Sequence, residues 1–330
     1  MFSYFVRRIF TMLATLLVVS ALVFIIIQLP EGDYLTSYIA ELESQGEAVD
    51  PEKIAYLKEE YGLDKPIWLQ YVNWVLGIVQ GDFGRSIEFD LPVVDVIGDV
   101  FLFSLILNFT IILFIYVVAF PIGVYSATHQ YSWGDNGLTF IGFIGLATPN
   151  FLLALILMFL ARKYFGTSIG GLVDPSFEGQ PWTLDKILSL LEHLVVPVVV
   201  IGTSGTAGMI RRLRANLLDE LNKQYVVTAR SKGLSESKVL IKYPLRMALN
   251  PFIADIGNLL PQVISGSVIV AVIMDLPTTG PVILDALVSQ DTYLAGSFLL
   301  FVSLLTVLGT FISDLLLAVL DPRIRLEGNR

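Results

Sequence analysis

Residues 228–251 read TARSKGLSESKVLIKYPLRMALNP and lie in an interval, 211–250, that is polar and basic while both flanks are apolar. The interval carries Arg211, Arg212, Arg214, Lys223, Arg230, Lys232, Lys238, Lys242 and Arg246 against Asp219, Glu220 and Glu236. The chain as a whole is acidic, with a net charge of −9. Positive charge gathered between two apolar runs marks a cytoplasmic segment between membrane spans, because Lys and Arg are retained on that side.

Composition agrees. Of 330 residues, 55% are hydrophobic and 15% charged, whereas soluble domains carry about 25% charged residues. A spanning helix needs about 20 mostly apolar residues. Such runs fall at about 9–30, 101–126, 137–161, 191–211, 252–274 and 295–320. The expectation is an all-α membrane protein with six transmembrane helices, organised as a single domain over 1–330. A large extracytoplasmic insertion, 31–100, separates the first two helices. The opening apolar run exceeds the roughly 7–15-residue core of a signal peptide and lacks a small-residue cleavage site, so it reads as a retained span. Arg7 and Arg8 put the N-terminus in the cytoplasm. Six crossings return the C-terminus to that side, where Arg323 and Arg325 agree. Arg162 and Lys163, after span three, run against the rule.

Several functions are excluded. There is no cysteine, and His129 and His193 are the only histidines, so disulfides, thiolate sites and multi-histidine metal sites are out. The negative net charge argues against nucleic acid as a partner. No G-x-x-x-x-G-K-[ST] loop is present, so this chain is not expected to bind ATP. The glycines of IGTSGTAG, 201–208, read as small residues that let helices approach closely. GDFG at 81–84 copies the magnesium triplet of kinases but lies outside the membrane without a catalytic loop. Glu192 and His193 are too small a constellation for a metal and read as an interfacial pair.

The basic interval is forty residues long, where a turn between spans needs only a handful. Its pattern predicts two short helices. The first covers 225–232 and ends at Gly233, which suits the left-handed residue after a helix. Ser235 caps a second over 236–243, with Glu236 in its first turn. Pro244 ends or kinks it. Such a unit either docks into another protein or lies as a basic loop against anionic lipid; the pattern alone leaves both open. In the insertion, LDKPIWLQYVNWVLGIVQ at 63–80 is too short to span. Pro66 suits a helix start. Trp68, Tyr71 and Trp74 fit either an interfacial helix or one packed on the protein's own outer face.

Polar residues at membrane depth usually face the bundle interior or water. Asp255, Asn258 and Gln262 recur on one helical face of span five. They read as a polar lining of a translocation path or as interhelical hydrogen bonding, the latter preferred for Asp255. Asp314 on span six reads as structural, paired with a basic cytoplasmic residue. Pro149 and Pro261 read as kinks within spans.

The stretch 228–251 also resembles the cytoplasmic coupling motif of permease subunits of binding-protein-dependent ABC importers. That motif runs Glu-Ala-Ala, three residues, Gly, nine residues, Ile-x-Leu-Pro. Here it falls on Val227-Thr228-Ala229, Gly233 and Tyr243-Pro244-Leu245-Arg246. The first position lacks Glu, and Arg246 replaces Pro. TAR-x-KGL is similar to the dipeptide/oligopeptide/nickel branch, and to the first of its two permease subunits. GLDKPIWLQYVNWVLGIVQGDFGRS (62–86), GPVILDAL (280–287) and LDPRIR (320–325) match that branch in order and spacing. Pro277-Thr278-Thr279-Gly280 departs from its usual Pro-Gly-Leu-Gly.

The resemblance implies a permease in a prokaryotic cytoplasmic membrane, with six helices of the importer type. A second, homologous permease subunit would pair with it, two ATPase subunits would dock beneath the pair, and an extracytoplasmic binding protein would deliver substrate. ATP and Mg would sit on the ATPase subunits. Thr228, Ala229, Arg230, Lys232, Gly233 and Leu234 would meet the ATPase. The implied cargo is short peptides, with oligosaccharides or another small solute as the alternative. A secondary transporter or channel is the more distant alternative. It would need Asp255 or Asp314 to carry an ion, and it leaves the long interval unexplained.

Overall fold

The computed structural model describes residues 2–29, 35, 39, 51–60, 62, 64–86, 88–166, 170–177 and 179–320. Among these residues the elements are, in order, α1 (Phe2–Ile27), α2 (Pro51–Glu60), α3 (Ile67–Gln80), a two-stranded antiparallel hairpin of β1 (Arg85–Ser86) and β2 (Leu91–Pro92), α4 (Val93–Thr128), α5 (Trp133–Ala147), α6 (Asn150–Phe165), α7 (Leu184–Leu221), α8 (Gln224–Ser231), α9 (Glu236–Lys242), α10 (Pro244–Ala254), α11 (Ile256–Ile273), α12 (Thr279–Val288) and α13 (Thr292–Leu320). The protein is therefore mostly helical, as composition requires.

Among the described residues four helices are long and apolar enough to cross a membrane: Val6–Ile27, Val93–Thr128, Leu184–Leu221 and Thr292–Leu317. A fifth crossing is present if α5 and α6 are one bent span. These helices are apolar on both faces. α4 buries Leu107, Ile111, Ile115 and Ala119 while it exposes Phe109, Leu113 and Val117. A helix hydrophobic all round belongs in lipid or in a large core.

Four expected features of the spans and the insertion shift. Span three is not a kinked helix: α5 and α6 meet at a 100° bend. Pro149 disfavours helical geometry at the residue before it, and Thr148 is extended at φ −83°, ψ 122°. Span four does not stop at 211. α7 continues to Leu221, because Leu213 and Leu217 stay buried one turn apart and no breaker intervenes. The insertion ends near residue 92, where α4 begins with Asp95 in its first turn. The segment expected as span five, 252–274, begins within α10 and passes a break at Asp255 into α11, whose helix runs unbroken through position 261. The side chain of Pro261 lies outside the described part, as does most of 30–50. Arg162 and Lys163, which run against the charge rule, sit in the last turn of α6, where cations suit the helix dipole. Lys163 also lies 5.4 Å from the Tyr164 ring.

The chain divides into two compact units. One comprises Thr11–Ser104 and Thr278–Leu304. In it α3 packs inward: Tyr71 shares a 2.9 Å hydrogen bond with Ser20, and Trp74 is buried beside Phe24. Trp68 points outward, so the helix has one packed and one open face. Val93, Ile97, Ala286, Leu294, Ala295 and Phe298 form this unit's core. The hairpin is tied down by buried Asp291, which accepts from the Ser86 hydroxyl at 2.6 Å and the Glu88 N–H at 3.2 Å, and caps α13 through the Leu294 N–H at 3.0 Å. Gly84, in the look-alike GDFG, has φ +82°, and a Cβ there would lie 2.5 Å from the Tyr293 ring. Its glycine is a packing requirement.

The other unit comprises Met1–Phe10, Leu105–Pro277 and Leu305–Arg330. α7 is its axis. Two of the three glycines of 201–208 act as the sequence reading expects: a Cβ on Gly202 would lie 2.6 Å from Phe114 and one on Gly205 2.7 Å from Ile115, whereas one on Gly208 would meet only Arg212 of the same helix, at 3.7 Å. His193 turns to the Ser189 carbonyl at 2.8 Å. It does not pair with Glu192 among the described residues, since adjacent helical residues do not face each other. Asp314 pairs with Arg8.

Candidate functional site

The basic interval folds into a small helical unit carried by α7 and α10. After Leu221 the chain turns at Asn222 and Lys223 into α8, which ends at Ser231. Gly233 takes φ +77°, a left-handed conformation that side chains resist. Ser235 stands before α9 with extended geometry, φ −64° and ψ 145°, without donating or accepting a capping bond through its side chain. Pro244 opens α10, and Tyr243 before it marks the corner at φ −118°, ψ −82°.

A miniature core holds the unit together. Val226 and Ala229 of α8 meet Val239 of α9, and Tyr243 packs against them. Across the turn the Arg230 guanidinium donates to both Glu236 oxygens, Nε to Oε1 at 3.1 Å and Nη2 to Oε2 at 3.1 Å. The Thr228 hydroxyl returns to the Gln224 carbonyl at 2.9 Å. At the start of α8 the Tyr225 hydroxyl donates to Glu220. Burial, together with that hydrogen bond, raises the Tyr225 phenol above its ordinary range.

The unit's outer surface is partly apolar. Val227, Leu234 and Ile241 are exposed, as are Thr228, Arg230, Lys232 and Gly233. Ala229, by contrast, faces inward at 5% exposure and supports the surface from beneath. The sequence places Val227 in the motif but not among the residues expected to meet the ATPase, and it does not single out Ile241. The signal available was periodicity, since with Val226 and Ala229 inside, Val227 must lie on the opposite face of α8.

The unit connects through α10 to the membrane helices. The last carbonyls of any helix lack intrahelical partners, and at the end of α10 side chains from two other helices supply them. The Tyr116 hydroxyl of α4 donates to the Phe252 carbonyl at 2.8 Å. The Ser313 hydroxyl of α13 lies 3.1 Å from both the Ile253 and Ala254 carbonyls. At the break itself buried Asp255 forms an ion pair with Arg212 of α7. Asn258 and Gln262 lie on α11, and their side chains fall outside the described residues. Both acidic side chains that the sequence offers as ion carriers, Asp255 and Asp314, are thus paired with arginines.

With this geometry the chain can be set beside known proteins. Residues 119–326 match the family described as binding-protein-dependent transport system inner membrane component, and residues 1–94 match its N-terminal membrane component. The chain is 36% identical to the oligopeptide transport system permease protein AppB of Bacillus subtilis (strain 168), covering 98% of this chain and 99% of that one. It is 27% identical to the dipeptide transport system permease protein DppB of Escherichia coli (strain K12), covering 98% and 99%. It is 29% identical to the glutathione transport system permease protein GsiC of Escherichia coli O1:K1 / APEC, again over 98% and 99%. The chain belongs to the family of binding-protein-dependent transport system inner membrane components, the multi-pass permease components of ABC importers, whose ATP hydrolysis lies on separate ATPase subunits.

Proposed function

We propose that this chain forms half of the translocation path of an ATP-driven importer of short peptides, delivered by an extracytoplasmic binding protein. Relatives that are oligopeptide, dipeptide and glutathione transport permeases support that cargo class. A second, homologous permease subunit completes the path, and two ATPase subunits, which hold ATP and Mg, dock beneath the pair. Six helices cross the membrane, with the bent α5–α6 pair as one and α11 as another. Both termini face the cytoplasm, as the arginines at 7, 8, 323 and 325 favour.

The observation that carries this reading is the α8–Gly233–α9 unit. It presents exposed Val227, Thr228, Arg230, Lys232 and Leu234 on a scaffold braced by Val226, Ala229 and Val239. An apolar patch with a charged rim fits a protein groove better than a lipid surface. Closure of the ATPase subunits pushes this unit, and α7 and α10 pass the displacement into the membrane as a rigid-body movement. Asp255, Asn258 and Gln262, which recur on one face of span five in the sequence, are the candidates for a polar lining of the path.

Reconstitution tests the assignment. Proteoliposomes with the second permease, the ATPases and the binding protein accumulate radiolabelled di- to pentapeptides only with internal ATP. Peptide uptake by this chain alone, driven by an ion gradient, contradicts it.

A further inference from the structure

A groove of about 250 Å³ opens between α5 and α7. Its two ends differ in chemistry. Phe143 and Leu146 near the end of α5, with Ala207 and Ile210 of α7, line one end. Tyr131, Asp135, Arg211 and Arg214 line the end where both helices turn polar. Gly142 forms part of the floor, and a Cβ there would meet only Ala207, at 3.7 Å.

The charges at the polar end are unequal. Asp135 is buried and already satisfied. It takes a two-pronged bond from Arg214, Nε to Oδ1 at 3.0 Å and Nη2 to Oδ2 at 2.8 Å, and a third from the Tyr131 N–H at 3.0 Å. That fork neutralises Arg214. Arg211 is exposed at the groove and has no carboxylate partner among the described residues. One net positive charge therefore stands over an apolar slot at the membrane boundary. Exposed Tyr131 lines this end and exposed Trp133 opens α5 two residues on, side chains that favour the headgroup level.

We propose that this groove holds an anionic phospholipid, with its phosphate on Arg211 and the upper part of an acyl chain along Phe143, Leu146 and Ile210. A basic pocket between spanning helices at the cytoplasmic surface suits such a headgroup. The slot is too small for a whole lipid, so the rest of the molecule stays in the bilayer. The cytoplasmic placement rests on the orientation proposed above. The test below reads lipid binding in micelles, so it is independent of sidedness and of cargo.

The experiment is native mass spectrometry of the assembled transporter, with added phosphatidylglycerol or phosphatidylcholine of matched chains. Wild type retains phosphatidylglycerol in preference. Arg211→Gln lowers that preference about fivefold, the effect expected of one basic contact, and Arg211→Lys keeps most of it. Gly142→Leu fills the slot and lowers retention of both lipids. Arg211 is exposed, so its variants report even if the glycine variant folds poorly. Equal retention of the two lipids by wild type, or no change in Arg211→Gln, overturns the proposal. So does displacement by soluble glycerol phosphate as readily as by the lipid. Binding to the isolated subunit but not to the assembled transporter also overturns it, because a protein partner then covers the groove.

Discussion

Arg230 and Glu236 close a two-pronged ion pair over the left-handed Gly233, with Nε 3.1 Å from Oε1 and Nη2 3.1 Å from Oε2. Both side chains are largely exposed, and such a pair contributes only about 0.2–1 kcal/mol. Its removal therefore barely changes stability. Arg230→Ala is expected to melt within a few degrees of wild type but to lose peptide-stimulated ATP hydrolysis. Exchanging the charges, Arg230→Glu with Glu236→Arg, restores the pair and not the coupling, because the ATPase meets the sign at position 230. Full recovery of uptake in the exchanged protein argues that the pair acts only within the turn.

Gly233 has open space around it, so a substitution there is limited by backbone alone. Holding a side chain in the left-handed region costs about 1–2 kcal/mol, with Asn tolerating it best. Gly233→Asn is expected to keep most uptake and Gly233→Val to lose it, while both insert into the membrane. Equal uptake by the two variants removes the conformational argument.

Arg212 and Asp255 join α7 to the break between α10 and α11. Asp255 is buried, whereas the Arg212 side chain is 46% exposed. Arg212→Ala therefore leaves a buried carboxylate that water reaches from one side only, a loss of about 1–3 kcal/mol. Arg212→Ala with Asp255→Leu removes both charges and regains much of it. Thermal unfolding in nanodiscs measures this, and additive losses in the double variant argue against a pair.

α4 and α7 approach at Gly202 and Gly205, where added carbons would lie 2.6 Å from Phe114 and 2.7 Å from Ile115. Overpacking of this kind costs about 1–3 kcal/mol. Gly202→Val is expected to lower the melting temperature, and Phe114→Ala introduced alongside it to restore part of the loss. Unchanged melting in Gly202→Val shows that the helices separate at no cost.

Much of this was legible in the residues. Gly233, Ser235 and Pro244 marked the boundaries of α8 and α9, because glycine after a helix and proline at a new one have local causes. Gly202 and Gly205 announced close packing, and Asp314 found the basic partner expected of it in Arg8. Other features depended on what the chain meets in space. Pro149 reads the same in sequence whether it kinks a helix or separates two, and here α5 and α6 meet at 100°. The motif nominated Ala229 without showing that it faces Val239 and not the solvent. The continuation of α7 past residue 211 was hidden because its charges signal a loop while Leu213 and Leu217 hold it in the bundle.

The absence of cysteine makes the central claim directly measurable, since any introduced thiol is unique in this chain. Val227→Cys and Leu234→Cys, each combined with one cysteine in the ATPase groove, are expected to form a disulfide in the assembled transporter, at a rate that changes when ATP is added. Ala229→Cys, facing inward, should react far more slowly. Failure of both exposed positions to cross-link, in transporters that still import peptide, contradicts the account that α8 is where the ATPase grips this chain.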